Sequence, residues 1–585
     1  MTFASGIDGD LTQKFFRDFP TDPRTVLRFF DFEPVTISLV CCPSCFCLYP
    51  LSEDTAEKCT NENVPGKVCG AGLFKRKKTL RGRLIRKPIR CFVYQPFPEW
   101  LGRFLSRPGI EDLVDRPLSI EDPQEWQDIG DARALRELLW SDGLPFLPRE
   151  GETFDGEGRY VFAFNIDWLN PRGNKQSGKQ ESLGAMYMVC LNLPVRCRYK
   201  FENVYLVGII PTPSEPSTHQ TNHVTRPLID HLVPAWEHGI RLTRTHNYPN
   251  GRSTKSALVP LVADLPAARK TSGHLSASSA NFCSFCSLQA CDSQNLDYKS
   301  WKRRSPEKHR ELADEWLRQT SGAARTRLQT ATGVRWSEFL RLIYWDPTRY
   351  TLVEPMHALL LRDIMHHGRT LFGMGKECPE GDGEFWLYCD AKKAAKGRPR
   401  PAGGDAPKPQ KGTVEWAQHV LHHGTDKGLA RLTNPLLDAL YRSTLPSWIG
   451  RIQRRIGVAN QGKLKADEWQ GAGTIHFPIT LIRLWARKKG RYREMLENFI
   501  HLAAAVMIAT MRTQNQARAD QYTTHFLSYL KGLKTLYPRY KWPPTLHLSL
   551  HIPEFISLFG PVYSWWAFPF ERYNGAIQKI PTNFK

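Results

Sequence analysis

The chain has 585 residues, enough for several domains with large cores, and its 80 Lys+Arg against 58 Asp+Glu give a formal net charge of +22. That surplus favours a polyanionic partner, most commonly nucleic acid. The most apolar stretch, "FIHLAAAVMIATM" at 499–511, is too short to span a bilayer and contains a histidine, so no membrane role is expected. The 14 cysteines are too sparse for a secreted disulfide scaffold.

Several cysteines stand in close pairs, which favours metal binding in a reducing compartment, cytosol or nucleus. The N-terminus, "MTFASGIDGDLTQKFF", has no basic segment followed by an apolar run, so no signal peptide is expected there. Residues 1–37 read as a tail. Residues 38–97 form a cysteine-rich module containing Cys41, Cys42, Cys45, Cys47, Cys59, Cys69 and Cys91. Within it Cys42, Cys45, Cys59 and Cys69 suit a zinc-ribbon-like site. So small a module has little apolar core, and a metal would supply its stability. Next comes "KRKKTLRGRLIRKPIR", 75–90, in which nine of sixteen residues are Lys or Arg. It reads as a phosphate-contacting arm through Lys75, Arg76, Lys77 and Lys78, as a nuclear import signal, or as a solvated hairpin.

Residues 98–155 read as a polar helical connector. From 156 to 295 the period changes. "RYVFAFNID" (159–167), "GAMYMVCLNL" (184–193) and "NVYLVGII" (203–210) predict buried strands, the last two close enough for a hairpin. "HQTNHVTRPLIDHLVPAW" (219–236) predicts a helix. "SALVPLVAD" (256–264) predicts a fourth strand, whose Pro260 suggests an edge or a bulge. The expected class is α/β, with Asp167 and Asp264 ending the first and fourth strands. Residues 296–540 read as a large helical region, including a buried helix at 498–515. It is interrupted by a Lys/Pro/Gly-rich linker at 391–412 that is expected to be disordered. Residues 541–585 return to the strand domain.

Cys283 and Cys286 in "NFCSFCSL" make half a zinc site with no second pair at finger spacing. His547 and His551 are four apart, which puts both on one face of either a helix or a strand. The four together complete one tetrahedral structural Zn²⁺ and pin the C-terminal segment to the strand domain. Glu571 follows His551 by twenty residues, and Asp264 precedes Cys283 by nineteen. Such a tie therefore draws Asp167, Asp264 and Glu571 together as oxygen ligands for two Mg²⁺ or Mn²⁺ ions, the clamp used in displacement at phosphorus. The competing reading has the two aspartates ending strands in turns and the glutamate in solvent. Lys175, Lys179, Arg269 and Lys270 flank the first two acids, as phosphate contacts or plain surface charges. The aromatics Trp565, Trp566, Phe568, Phe570 and Tyr573 surround Glu571, as core packing or as a base-stacking platform.

The runs "FNIDWLNPRGNKQSGKQESLGAMYMVCLNLP", "VGIIPTPSEPSTHQTNH", "LVPLVADLPAARKTSG", "FCSFCSL", "VRWSEFLRLIYWDPTRYTLVEPMHALLL", "GKLKADEWQ", "PITLIRLW" and "LHIPEFISLFGPVYSWWAFPFERYNG" resemble the CACTA (En/Spm-like) DNA transposases in the form carried by fungi. The resemblance runs in order from about residue 40 to the C-terminus. It implies an RNase H-like mixed-sheet core with a DDE triad, interrupted by a large helical insertion. Related enzymes, including the V(D)J recombinase, carry a split zinc site of two cysteines and two histidines in this layout. The family pattern carries its acids onto Asp167, Asp264 and Glu571, and its zinc ligands onto Cys283, Cys286, His547 and His551. The implied partner is double-stranded DNA, both terminal inverted repeats and target, bound in the nucleus by a homo-oligomer. Two departures stand out. Relatives are expected to continue further beyond Glu571. At "VEPMH" the family is expected to carry Asp where this chain has Glu354, which makes Glu354 a rival third acid beside His357, or a structural helix start. The rival functions are a transposase-derived DNA-binding protein without catalysis and a metal-dependent nuclease.

Overall fold

The computed structural model describes residues 33–371 and 464–580, apart from 65, 80, 81, 153, 172–180 and 539, together with Asp22 and Thr25. The linker expected at 391–412, and Lys175 and Lys179, lie outside the described residues. No described helix is long and apolar enough to cross a membrane.

The cysteine-rich segment is built of short strands: β1 (Ile37–Cys41), β2 (Leu48–Pro50), β3 (Glu62–Val64), β4 (Lys67–Val68), β5 (Phe74–Lys78), β6 (Leu84–Pro88) and β7 (Cys91–Tyr94). They are followed by α1 (Phe97–Leu105), which buries Phe97, Trp100, Leu101, Phe104 and Leu105 on one face. The expected helical connector is replaced by turns and single-turn helices at Glu111–Val114, Ile129–Asp131 and Arg133–Arg136. Pro108, Pro117, Pro123, Pro145 and Pro148 recur too often for a long helix, because each removes an amide donor and restricts the residue before it.

Then come β8 (Gly158–Leu169), β9 (Leu183–Cys190), β10 (Val204–Ile210), α2 (Thr221–Glu237), β11 (Ile240–Leu242), β12 (Arg252–Leu261) and α3 (Leu265–Ser272). One eight-stranded mixed sheet runs in the order β11-β12-β8-β9-β10-β7-β1-β2. Only β12 and β8 pair in parallel, and α2 makes the crossover that a parallel pair requires. The continuous apolar run of β8 follows from its central place: its first nine residues are buried. Pro260 falls where the β12–β8 register shifts between Leu258 and Leu261, the bulge anticipated from the sequence. Beyond it Leu261 bridges Thr351 in parallel. Because β7 pairs with β10, and β1 with β7, the N-terminal strands extend this sheet. The expectation of an independent cysteine module is corrected accordingly.

The helical region includes α4 (Pro306–Arg318), α5 (Gly322–Thr332), a helix of π pitch at Met356–Ile364, α6 (Arg491–Ala509) and α7 (Gln516–Leu536). The buried helix expected at 498–515 is the C-terminal half of α6. α6 and α7 pack closely: Asn498 Nδ2 donates to the Tyr529 carbonyl at 2.7 Å, and a Cβ on Gly532 would lie 2.2 Å from that nitrogen. The chain returns through Pro544–Leu548, Ser549–His551, α8 (Ile552–Phe559) and α9 (Phe568–Gln578). Gly560 turns it at φ +71°, ψ −150°, a region essentially closed to side-chain-bearing residues.

Arg198, 1 % exposed, fastens this return to the sheet. Its guanidinium donates to the carbonyls of Leu191, Leu193 and Ser564, and pairs with Asp128 at 2.9 Å. Arg198→Met should lower unfolding free energy by about 3 kcal/mol, the low end for a broken buried pair because Asp128 keeps access to water. Denaturant unfolding checks this, and an unchanged midpoint would show that the clasp contributes nothing.

Candidate active site and metal centres

Among the described residues, two groups of potential metal ligands have all their donor atoms within 4.8 Å of one another: Cys42, Cys45, Cys59 and Cys69, and Cys283, Cys286, His547 and His551. In the first, Cys42 Sγ lies 3.8 Å from Cys69 Sγ, and Cys45 Sγ lies 3.5 Å from Cys59 Sγ. In the second, Cys283 Sγ is 3.4 Å from His551 Nε2, and Cys286 Sγ is 3.3 Å from His547 Nε2. A tetrahedron with Zn–S of about 2.3 Å and Zn–N of about 2.0–2.1 Å has edges of roughly 3.8 Å between sulfurs and 3.5 Å between sulfur and nitrogen. The donor sets and spacings therefore fit a metal such as zinc.

Local backbone prepares both sites. The amides of Ser44 and Cys45 point at Cys42 Sγ at 3.4 Å. Those of Phe285 and Cys286 point at Cys283 Sγ at 3.3 and 3.4 Å. Such N–H groups favour thiolates. In the split site all four side chains are at most 2 % exposed, and the Trp301 ring stacks on His547 at 4.2 Å. His551 Nδ1 donates to Glu554 at 3.1 Å, which leaves Nε2 free as the ligand atom, as metal-binding histidines commonly have it. Burial opposes ionisation of Cys283, yet hydrogen bonding from Cys286 and the His551 charge hold its thiol well below the ordinary range. The thiolate beside it pushes Cys286 up.

The acids meet at one end of the parallel pair. Asp167 lies near the end of β8, its Oδ1 accepting from the Trp168 amide at 2.7 Å. Gly184 makes room opposite, since a Cβ there would lie 2.2 Å from the Trp168 ring. Asp264 follows β12 and caps α3, accepting from the Ala267 amide at 2.7 Å. Glu571 stands in the first turn of α9. Burial raises the Asp167 carboxyl to about 8, with the charges of Glu571 and Asp264 adding to it. The three carboxylates do not all lie within 4.8 Å of one another, as the two sulfur sites do.

Two residues complete the cluster that sequence reasoning did not assign to it. Asn574 Nδ2 donates to Asp167 Oδ2 at 2.6 Å, while its Oδ1 accepts from Tyr187 at 2.9 Å. Its position three residues after Glu571, on the same helix face, was the available signal. His357 Nε2 lies 3.5 Å from Glu571, and its Nδ1 lies 2.6 Å from Glu354. Burial works to lower His357, but the two glutamates outweigh it and raise it to about 10, so it is cationic at neutral pH. The hydrogen bond to His357 in turn holds Glu571 below the usual carboxylate range.

Glu354 takes the structural alternative. Its side chain is fully buried and accepts from the amides of Met356, His357 and Ala567 at 3.0, 2.8 and 2.9 Å. Ala567 is the residue before α9, so Glu354 positions both His357 and the helix bearing Glu571. Arg269 is corrected. At 2 % exposure its guanidinium is spent on Ser284 Oγ at 2.7 Å and on the carbonyls of Leu275 and Asn281, so it bridges α3 to the cysteine loop and is closed to phosphate. Lys270 is partly exposed and pairs with Glu215 at 2.9 Å. Trp565, Phe570 and Tyr573 are core residues, whereas Trp566 and Phe568 are part-exposed and meet edge to face. Lys75, Arg76, Lys77 and Lys78 all lie exposed on β5.

Residues 146–320 match transposase family tnp2. That segment carries Asp167, Asp264, Cys283 and Cys286, and the similarity supports a DNA transposase role and DNA binding. No curated protein matches the chain significantly.

Two outcomes are expected. Metal analysis of the chain should give two zinc equivalents, with Cys283→Ala or His547→Ala each removing about one and Cys45→Ala the other. Unchanged content in Cys283→Ala would rule out the split site. Between the ordinary carboxyl range and about pH 8, folded Asp167 keeps a proton that the unfolded chain releases. Stability without added Mg²⁺ or Mn²⁺ should therefore fall as pH rises through that window and level off above it. Thermal melts of Asp167→Asn should lack this fall, and parallel pH profiles for the two proteins would refute the assignment.

Proposed function

We propose that this chain is a DDE-class DNA transposase of the CACTA type. On this reading it binds the terminal inverted repeats of its element, cleaves there, and joins the 3′-hydroxyl ends to target DNA. The observation that carries it is the convergence of Glu571 with Asp167 and Asp264, which lie more than 300 residues before it, burial and the charges of the other two acids raising the Asp167 carboxyl. Support for an RNase H-like core comes from the antiparallel run β8-β9-β10, the crossover by α2 to β12 beside β8, and the parallel bridge from Leu261 to Thr351. The net charge of +22 suits DNA, and we place the protein's work in the nucleus as a homo-oligomer on DNA.

Asp167, Asp264 and Glu571 are the residues that would hold two Mg²⁺ or Mn²⁺ ions. When bound, such a pair supplies activation of the attacking oxygen and charge relief for the leaving one. The protein's own part is positional and electrostatic. Tyr187 orients Asn574, which holds Asp167 Oδ2 in place. Glu354 holds His357, whose positive charge lies against Glu571 and tempers the repulsion among three acids. Asp167 and Asp264 are half-buried and Glu571 is 44 % exposed, which leaves the acid cluster open to a bulky polymer. The domain reading follows: a core from 156 to 295, a helical insertion from 296 to 540, and a return from 541 to 585.

The test is joining of pre-cut repeat ends to a target duplex in Mg²⁺ or Mn²⁺. Asp167→Asn, Asp264→Asn and Glu571→Gln should each lower joining by about 10³-fold or more, at least 4 kcal/mol of transition-state stabilisation, with binding retained. Glu354→Gln should lose stability, about 1.5–3 kcal/mol for charge-assisted buried hydrogen bonds, while keeping measurable joining. Degradation without joining would make the chain a nuclease, and binding alone a DNA-binding derivative. Wild-type joining by Glu571→Gln beside an inactive Glu354→Gln would move the third role to Glu354.

A further inference from the structure

β5 and β6 form a two-stranded ribbon that pairs with no other strand among the described residues. Its directly opposed pairs are Phe74–Pro88, Lys75–Lys87, Arg76–Arg86, Lys77–Ile85 and Lys78–Leu84. Opposed side chains in an antiparallel pair share a face. One face therefore carries Phe74, Arg76, Lys78, Leu84 and Arg86, and the other carries Lys75, Lys77, Ile85 and Lys87.

The first face is anchored at its root, while Arg76, Lys78 and Leu84 further out on it are exposed. The Arg86 guanidinium lies 3.5 Å over the Phe74 ring and pairs with Glu57 at 2.8 Å. It also donates to the carbonyls of Ser52 and Glu53 at 3.2 and 3.1 Å, and to that of Thr55. Backbone bonds from Leu73 to Glu57 at 2.8 Å and from Ile89 to Leu73 at 2.9 Å close the ribbon's base. Glu57 is two residues from Cys59, so the four-cysteine site fixes the direction in which the ribbon projects.

The second face is unspent. Lys75, Lys77 and Lys87 are exposed and make no hydrogen bond or ion pair among the described residues, and Ile85 is 38 % exposed. Lys75 stands directly opposite Lys87, an arrangement that destabilises a free sheet. A basic face held rigidly at its root, repelling itself and carrying one apolar residue, is complementary to a polyanion that has both charge and apolar edges.

The groove dimensions decide how. Two strands about 4.8 Å apart, with side chains, fill a width close to the roughly 12 Å of the DNA major groove and exceed the roughly 6 Å of the minor groove. Five paired residues at about 3.4 Å each span roughly 17 Å, half a turn of duplex. We propose that the β5–β6 ribbon enters the major groove of duplex DNA, with Lys75, Lys77 and Lys87 against base edges and Ile85 against thymine methyls. This rests on the DNA-binding reading above and replaces an arm lying along phosphates with a reader of bases. Lys donors suit the guanine O6 and N7 acceptors on that groove floor.

The test compares the affinity of the full chain for two 40-base-pair duplexes of the same sequence. One is unmodified, and the other carries glucosylated 5-hydroxymethylcytosine, which fills the major groove and leaves the phosphates and minor groove open. The wild-type chain should bind the glucosylated duplex about tenfold or more weakly, the loss of one to two good base contacts. Lys75→Gln/Lys77→Gln/Lys87→Gln should bind the plain duplex more weakly and no longer distinguish the two. Arg76→Gln/Lys78→Gln, on the anchoring face, should still distinguish them. Zinc content and melting should be unchanged in both variants, since every replaced side chain is exposed. Equal binding of both duplexes by the wild-type chain, or full discrimination by the Lys75/Lys77/Lys87 variant, would overturn the ribbon proposal. Failure of the wild-type chain to bind either duplex would overturn the DNA reading beneath it.

Discussion

Two thiols and two imidazoles, buried to within 2 % of full enclosure, face each other across 261 and 268 residues of chain. Burying such groups without partners is unfavourable, and a soft divalent metal satisfies all four at once. The rest of the C-terminal architecture is threaded from this point. His551 leads into α8, Gly560 turns the chain, Arg198 and Tyr199 hold the Ser564 carbonyl, and Trp565 is sealed in the core before α9 begins. Each step is short and stiff. Glu571 consequently arrives beside β8 by a path with few rotatable degrees of freedom, although most of the helical region intervenes in sequence. The insertion is tied to the same point, because Ser549, between the two histidines, donates to Asp363 at 2.6 Å and accepts from Tyr522 through its carbonyl at 2.9 Å.

The electrostatics at the other end of that path are deliberately unbalanced. Three carboxylates face one another, and among the described residues the side chains that temper them are one cation, His357, and one neutral donor, Asn574. Elsewhere in the fold Glu111 and Asp115 are neutralised by Arg252 at 3.0 and 2.6 Å. Burial and the neighbouring acids favour a proton on Asp167, and on the proposed reading a divalent ion would compete for that position. The Arg252 cluster is held by a guanidinium and the Asp167 cluster by a histidine and an amide, and on the proposed reading the second set would hold divalent ions.

Much of this was legible in the sequence because period-two runs and metal spacings are local signals. β8, β9, β10, β12 and α2 were readable from alternation and from turn residues, and Pro260 announced its bulge. Four-residue spacing was enough to pair His547 with His551, whatever element carried them. The illegible parts depend on what lies opposite. Arg269 and Lys270 are adjacent and look alike in sequence, yet one points into the cysteine loop and the other stays at the surface. Glu354 read in sequence both as a competitor for the third acid and as a structural helix start, and its three backbone donors favour the second. The cysteine-rich segment read as a separate module because its short strands carry no sign that β7 will pair with β10.

That last pairing has a mechanical consequence. The sheet is continuous from β2 to β11, so the four-cysteine site and the carboxylates are attached to one twisted slab. Gln220, just before α2, donates to the Ser44 carbonyl inside the cysteine knuckle at 3.0 Å, adding a second tie across the same seam. A reader of DNA sequence joined by a flexible linker would deliver its duplex to the acids over a wide range of registers. A reader rooted in the same sheet restricts that range, because strands resist shear along their hydrogen bonds and their side chains interlock with α1 and α2. On the ribbon proposal, the spacing between the ribbon and Asp167 would act as a ruler on bound DNA, with the bond presented to the acids set by the geometry of the sheet.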